Sequence, residues 1–302
     1  MIDLWIPITV AAAFSQNLRS ALQKHLKSRL STGGATYVRF FYAAPLAVIY
    51  ALALHGIAGL PAPVPGLAFA VYGLIGGVAQ IVATALLVSL FSFRNFAVGT
   101  TYSKTETVQA ALFGLVILGD TLTTGAVIGI LISLAGVMAI SMARQESGFA
   151  SLFTSITEKS ALIGIASGAV FGISAVSYRA AALSLGGEGF LMQAAFTLAC
   201  VTLVQTFLMT VYLAIREPGQ LGASLRSWKT SGLVGVTGVL GSACWFTAMT
   251  IQNVAYVRAL GQIELVFTFA ASYIFFKERI NLAEFLGILA VVAGIVVLLI
   301  GR

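Results

Sequence analysis

Long apolar stretches, each bounded by charged residues, glycine or proline, recur along the whole chain. At about 1.5 Å rise per residue and a hydrocarbon thickness of about 30 Å, a membrane-crossing helix needs roughly 20 such residues. The stretches that approach or exceed this length cover residues 4–22, 34–54, 66–91, 96–118, 122–142, 161–185, 190–215, 232–251, 254–276 and 280–300. The pattern therefore predicts an all-α integral membrane protein with ten transmembrane helices.

Composition supports a membrane protein and excludes several other classes. Of the 302 residues, 59% are hydrophobic and only 9% are charged, whereas a soluble domain is about 25% charged. The formal charge of +7 does not indicate a nucleic-acid partner, because the basic residues flank apolar stretches instead of forming a patch. The lipid bilayer is the predicted partner.

The sequence predicts neither an enzyme nor a cofactor or metal site. Cys200 and Cys244 lie inside apolar stretches, without the spacing of metal ligands. His25 and His55 lie at predicted helix ends, and no nucleophile with a matching base stands out.

The two halves of the chain resemble each other. Residues 95–140 align with residues 253–298 without a gap, at a constant offset of 158. The matched polar pairs are Asn95 with Asn253, Glu106 with Glu264, and Asp120 with Glu278. Acidic residues inside an apolar helix are too rare to match readily by chance. The alignment predicts one repeat at 1–144, a linker at 145–160 and a second repeat at 161–302.

Five helices per repeat place the second copy upside down relative to the first. Such inverted repeats are typical of secondary transporters, which hold their substrate near the membrane midplane. The apolar spacing of Phe149, Phe153 and Ile156 predicts a short interfacial helix in the linker. The fold prediction is thus two inverted five-helix repeats.

Lysine and arginine are concentrated in the loops that follow the first, third, fifth, seventh and ninth predicted helices. Basic loops remain in the cytoplasm. Both termini are therefore predicted to be periplasmic, in a multi-pass protein of the bacterial inner membrane.

Two motifs carry a resemblance to a known family. Leu118-Gly119-Asp120 and Phe276-Lys277-Glu278 follow Glu106 and Glu264 by about a dozen residues. With the paired glycines of each closing helix, they resemble the EamA-type family of the drug/metabolite transporter superfamily. The resemblance implies export of small metabolites, and it is greatest to an exporter of aromatic amino acids. The proline that usually follows the glutamate is replaced by Thr107 and Leu265.

Ionisable residues inside predicted spans are candidates for function, since each costs a few kcal/mol to insert. For Glu106 and Glu264 two interpretations stay open: a structural pair across the pseudo-twofold axis, or direct binding of substrate or a proton. Lys104 has no basic counterpart in the second repeat, where Gln262 stands. It is the predicted contact for a substrate carboxylate.

An amphipathic solute needs a cavity with aromatic walls and a few oriented polar groups. The predicted substrate-binding residues, besides Lys104, are Tyr102, Gln80, Trp245, Tyr178 and Tyr37. The predicted function is export of small metabolites, particularly aromatic or apolar amino acids, by a monomer that alternates access between its repeats. The alternatives are a multidrug or other metabolite exporter, or a channel.

Glycines at regular spacing predict close helix packing. They fall into two sets: Gly164, Gly168 and Gly172 in the sixth helix, and Gly129, Gly136, Gly287 and Gly294 in the fifth and tenth.

Overall fold

A computed structural model describes residues 3–26, 29–90, 93, 96–143, 156–187, 189–275 and 281–302. Within these ranges the regular structure is entirely helical. The helices are α1 (Trp5–Leu26), α2 (Thr32–Phe41), α3 (Ala44–Gly56), α4 (Leu67–Leu90), α5 (Phe96–Ser103), α6 (Glu106–Leu118), α7 (Thr124–Ala143), α8 (Lys159–Ser184), α9 (Phe190–Arg216), α10 (Pro218–Arg226), α11 (Trp228–Ile251), α12 (Val254–Gly261), α13 (Glu264–Phe275) and α14 (Leu282–Ile300).

Seven helical segments in the described part of the chain are long and apolar enough to cross a membrane, and one of them, Thr32–Gly56, comprises α2 and α3. They match the second, third, fifth, sixth, seventh, eighth and tenth predicted spans. The first predicted span forms α1, whose Ser15, Gln16, Asn17 and Arg19 dilute its apolar character. The fourth and ninth are each divided into two shorter helices. The number ten therefore stays a prediction.

The continuous helices predicted over 34–54, 96–118 and 254–276 are wrong in this respect, because each is interrupted near its middle. At the first interruption Pro45 lies at the start of α3. At the other two, bonds from residue i to residue i−3 replace those of the α-helix, as from the Lys104 amide to Thr101 and from the Ile263 amide to Leu260. The Thr105 hydroxyl also donates to the Tyr102 carbonyl, at 2.6 Å.

The distribution of polar side chains is that of a membrane protein. Large apolar side chains such as Leu52, Val116 and Phe207 are exposed on long helices. Polar side chains such as Gln205 and Gln262 are buried. Lipid can solvate the first group but cannot satisfy hydrogen bonds of the second.

The described chain divides into two compact units, and each contains segments of both repeats. The first unit comprises residues 1–81 and 177–252, and the second comprises residues 82–176 and 253–302. In the first unit α1 packs along α11, and α9 packs against α2, α3 and α11. Gly241 of α11 lies against Ser15 and Gln16 of α1.

Arg179, in the first unit, caps the end of α11. Its Nη1 donates to the Met249 carbonyl at 2.5 Å and to the Gln252 carbonyl at 2.6 Å. A cation at this end of a helix also complements the helix dipole.

In the second unit α7 and α14 pack along each other through the four predicted glycines. A Cβ atom at Gly129 would lie 2.6 Å from the Gly294 carbonyl oxygen, and one at Gly136 would lie 2.6 Å from the Gly287 carbonyl oxygen. Because Gly129 meets Gly294 while Gly136 meets Gly287, the two helices are antiparallel. These glycines are equivalent by the repeat offset, so the contact is reciprocal.

Part of the linker lies outside the described residues. Phe149 and Phe153 of the predicted interfacial helix belong to this part. The second family motif, Phe276-Lys277-Glu278, also lies outside the described residues.

Candidate functional site

The second unit brings together two basic and two acidic side chains at the interruptions of the fourth and ninth predicted spans. Glu106 is the first residue of α6, and Glu264 is the first residue of α13. A carboxylate at a helix N-terminus is stabilised by the free amides and the dipole of that helix. The interruptions thus place both glutamates where their negative charge is favoured.

Each glutamate pairs with a base of the other repeat. Lys104 Nζ lies 2.5 Å from Glu264 Oε1, with side chains 32% and 15% exposed. Arg258 Nε lies 3.2 Å from Glu106 Oε1, an ion-pair distance without hydrogen-bond geometry. Glu106 and Arg258 also interact electrostatically with Lys104. We call these four side chains the charge cluster.

The ion pair with Glu264 neutralises the charge of Lys104, a partner that the sequence did not predict. Whether Lys104 contacts a substrate carboxylate stays a prediction. The two glutamates do not serve as each other's partner in these ion pairs; each binds the opposite repeat through a base.

A neutral hydrogen bond adjoins the charge cluster. Gln262 Nε2 donates to Thr107 Oγ1 at 2.7 Å, and both residues are buried. Thr107 occupies the position where the family motif usually has proline, which has no hydroxyl to accept this bond. The departure from the motif therefore supplies a contact between the repeats.

Helix α8 packs against the α5 and α6 segments through its glycine ladder. A Cβ atom at Gly168 would lie 2.9 Å from the Ser103 carbonyl oxygen and 3.1 Å from the Glu106 amide nitrogen. Gly172 lies in the same way against Ala110. Only glycine lets α8 approach the interruption this closely.

The first unit contains a separate polar site in which two predicted residues meet. The Tyr178 hydroxyl donates to Gln80 Oε1 at 3.1 Å. Gln205 Nε2 contacts Gln80 Oε1 at 2.9 Å, the Tyr178 hydroxyl at 3.1 Å and the Gly77 carbonyl at 3.1 Å. Gly76 makes room for the Tyr178 ring, since a Cβ atom there would lie 2.6 Å from it.

Beside this network lies a small cavity, which we call the Arg39 cavity. Its free space holds about one water molecule. Its described lining is formed by Arg39, Phe40, Ala43, Gln80, Leu198, Thr202, Gln205, Val239, Ser242 and Phe246. An amino-acid-sized solute needs several hundred Å³, so these helices must separate to admit one.

Tyr178 and the three remaining predicted aromatic residues are not among the described residues that line the Arg39 cavity. Trp245 Nε1 donates to Gln16 Oε1 at 3.1 Å. The Tyr37 hydroxyl accepts from Thr210 at 3.2 Å. Tyr102, in the second unit, packs with Ala161, Met138 and Ile165. All three are buried and form packing contacts in this conformation.

Arg258, Arg39 and Gln205 are the candidates that sequence reasoning left out of the site. Arg258 aligns with Thr100 in the repeat comparison, so internal symmetry could not reveal it. The available signal was that the fourth and ninth predicted spans each contain one acidic and one basic residue, which could pair between the spans. Gln205 is one of two glutamines in a long apolar helix and gave no such signal.

Comparison with known proteins gives one family and one fold. No curated protein matches the chain. A solved structure described only as a crystal structure of a protein is similar over 99% of this chain and 97% of its own, with a TM-score of 0.71 and 17% identity, which shows the fold alone. The EamA-like transporter family model matches residues 3–142 and again 159–300. The chain, a multi-pass membrane protein with two tandem EamA repeats, therefore belongs to the EamA-like transporter family.

Proposed function

We propose that this transporter exports small metabolites, particularly aromatic or apolar amino acids, by alternating access between two inverted five-helix repeats. The observation that carries the proposal is the reciprocal ion pairing at the interruptions of the fourth and ninth spans. Discontinuous helices of corresponding position in two repeats form the binding region of many secondary transporters. The antiparallel contact of α7 with α14 supports the inverted arrangement.

In this proposal the charge cluster holds the two repeats together in one conformation. Its formal charge is zero, because two bases face two acids. The two ion pairs can separate and re-form during transport if water or substrate replaces each lost partner. No charged side chain is then left alone in lipid, where it would be costly. This assigns Lys104 to a contact between repeats and leaves the substrate to other residues.

The amino-acid specificity rests on the resemblance to an exporter of aromatic amino acids and on aromatic residues near polar groups. Phe246 packs on Tyr178 with ring centroids 4.6 Å apart. Both residues lie next to amides that can orient a polar head group. The proposed orientation is that of the basic loops, with both termini in the periplasm of a bacterial cell.

Counterflow in proteoliposomes tests the function. Vesicles loaded with unlabelled L-phenylalanine should accumulate labelled L-phenylalanine transiently, and the rate should saturate with concentration. Protein-free vesicles and vesicles with the Lys104→Met variant are the controls. Counterflow with cationic dyes but not with amino acids would identify a multidrug exporter instead. Flux that rises linearly with the driving force, without counterflow, would identify a channel.

A further inference from the structure

We infer that the Arg39 cavity is the site that binds the polar head of the solute, with Arg39 receiving a carboxylate and Gln205 receiving an N–H group. The inference rests on the proposed function, because it concerns the solute that the transporter exports. It places recognition in the first unit, at residues distinct from the charge cluster.

Arg39 supplies a positive charge where charge is costly. It lies within a candidate membrane span, Thr32–Gly56, and is only 9% exposed. Guanidinium binds a carboxylate through two parallel hydrogen bonds, which makes it the side chain best suited to that group.

Gln205 supplies a buried acceptor to the lining of this cavity. The residue is 1% exposed, and its Oε1 has no hydrogen-bond partner among the described residues. The orientation of its amide is fixed by the Gly77 carbonyl, which can only accept, so the atom facing Gly77 must be Nε2. A buried acceptor without a partner is costly. A donor from a ligand would remove that cost.

The other lining groups agree with an amphipathic solute. Thr202 and Ser242 add hydroxyls beside the two polar groups. Phe40 and Phe246 add aromatic surface, and the Arg39 guanidinium carbon lies 5.4 Å from the Phe40 ring centre. The cavity thus combines an anion contact, an N–H acceptor and an apolar wall. Its complement is a solute with a carboxylate next to an amine or amide and an apolar side chain.

Three probes of one size separate these contacts: L-phenylalanine, 3-phenylpropionate, which lacks the amine, and 2-phenylethylamine, which lacks the carboxylate. Binding to the purified full chain in detergent would be measured by calorimetry. L-phenylalanine should bind about 10- to 100-fold more tightly than either analogue, since each analogue lacks one of the two proposed polar contacts.

Variants then assign each preference to a residue. Arg39→Met should abolish the preference for L-phenylalanine over 2-phenylethylamine. Gln205→Leu should abolish its preference over 3-phenylpropionate. Arg19→Met is the matched control, because Arg19 is a buried arginine of the same unit outside the described lining. It should keep both preferences. If Arg39→Met does not fold, Arg39→Lys should fold and bind L-phenylalanine about tenfold more weakly.

Each contrary result overturns the inference. These are an Arg39→Met protein that still prefers L-phenylalanine to 2-phenylethylamine, an Arg19→Met protein that loses affinity equally, and a wild-type protein that binds none of the probes. Counterflow with the same proteins judges the proposed function separately. L-phenylalanine counterflow that is independent of Arg39 would refute only the head-group site, whereas no counterflow with any amino acid would refute the proposed substrate.

Discussion

The charge cluster and the Arg39 cavity place ionisable groups inside membrane helices in opposite ways. In the charge cluster, each base faces an acid of the other repeat, so the protein satisfies its own charges. In the Arg39 cavity, a buried cation lies in one lining with Gln205, whose Oε1 acceptor has no hydrogen-bond partner among the described residues. In our proposal the charge cluster therefore holds the repeats together, and the Arg39 cavity binds the solute.

Disrupting the charge cluster should have the largest effect. Lys104→Met leaves the Glu264 carboxylate without its base, which costs about 2 kcal/mol for a partly buried pair. We expect transport to fall at least about tenfold and the melting temperature in detergent to fall by roughly 3–6 °C. Transport would be measured by counterflow and stability by thermal unfolding of the same preparation.

The charge-swapped double variant distinguishes a lock from a substrate contact. Lys104→Glu with Glu264→Lys re-creates the pair with reversed polarity and should restore part of the stability and transport, because the helix dipole at the start of α13 favours the original polarity. If Lys104 instead binds a substrate carboxylate, the swap would restore stability but not transport. That result would erase the contrast between the two regions, since both would then bind ligand.

A side chain at Gly168 should have the next largest effect. The added Cβ of Gly168→Val would press on the Ser103 carbonyl and the Glu106 amide, which are backbone atoms that cannot move aside locally. Overpacking of this kind costs about 1–3 kcal/mol, and it would displace Glu106 from Arg258. Thermal unfolding should show the loss. Ala166→Val, at an exposed position of the same helix, is the control and should unfold like the wild type.

Arg179 provides a third case beside the charge cluster and the Arg39 cavity, because backbone carbonyls accept the hydrogen bonds of this cation. Arg179→Met should remove the bonds to the Met249 and Gln252 carbonyls and lower stability by about 1–2 kcal/mol. The affinity for L-phenylalanine should stay within about twofold of the wild type. A large loss of affinity with unchanged unfolding would mean that Arg179 belongs to the binding site.

The sequence alone predicted the parts of this structure that depend on pattern and internal symmetry. Hydrophobic length located most helices, and the 158-residue offset identified Glu106 and Glu264 as equivalent. It did not predict the interruptions before these glutamates, because the interruptions form without proline, the residue that would have indicated them in the sequence. Nor did it predict the pairing of Glu106 with Arg258, since Arg258 has no charged counterpart in the other repeat. An ion pair between helices depends on which helices pack together. The local sequence of one helix does not indicate its packing partner.

The smallest expected effect concerns the hydrogen bond from Gln262 to Thr107. Thr107→Val removes the acceptor but keeps the shape, so the buried Gln262 amide loses its partner at a cost of about 1–2 kcal/mol. The double variant Thr107→Val with Gln262→Leu removes donor and acceptor together and should be nearly as stable as the wild type. Thermal unfolding of the two single variants and the double variant gives the coupling energy directly. Additive losses would mean that the bond does not link the repeats, and the case for a repeat-to-repeat lock would then rest on the ion pairs alone.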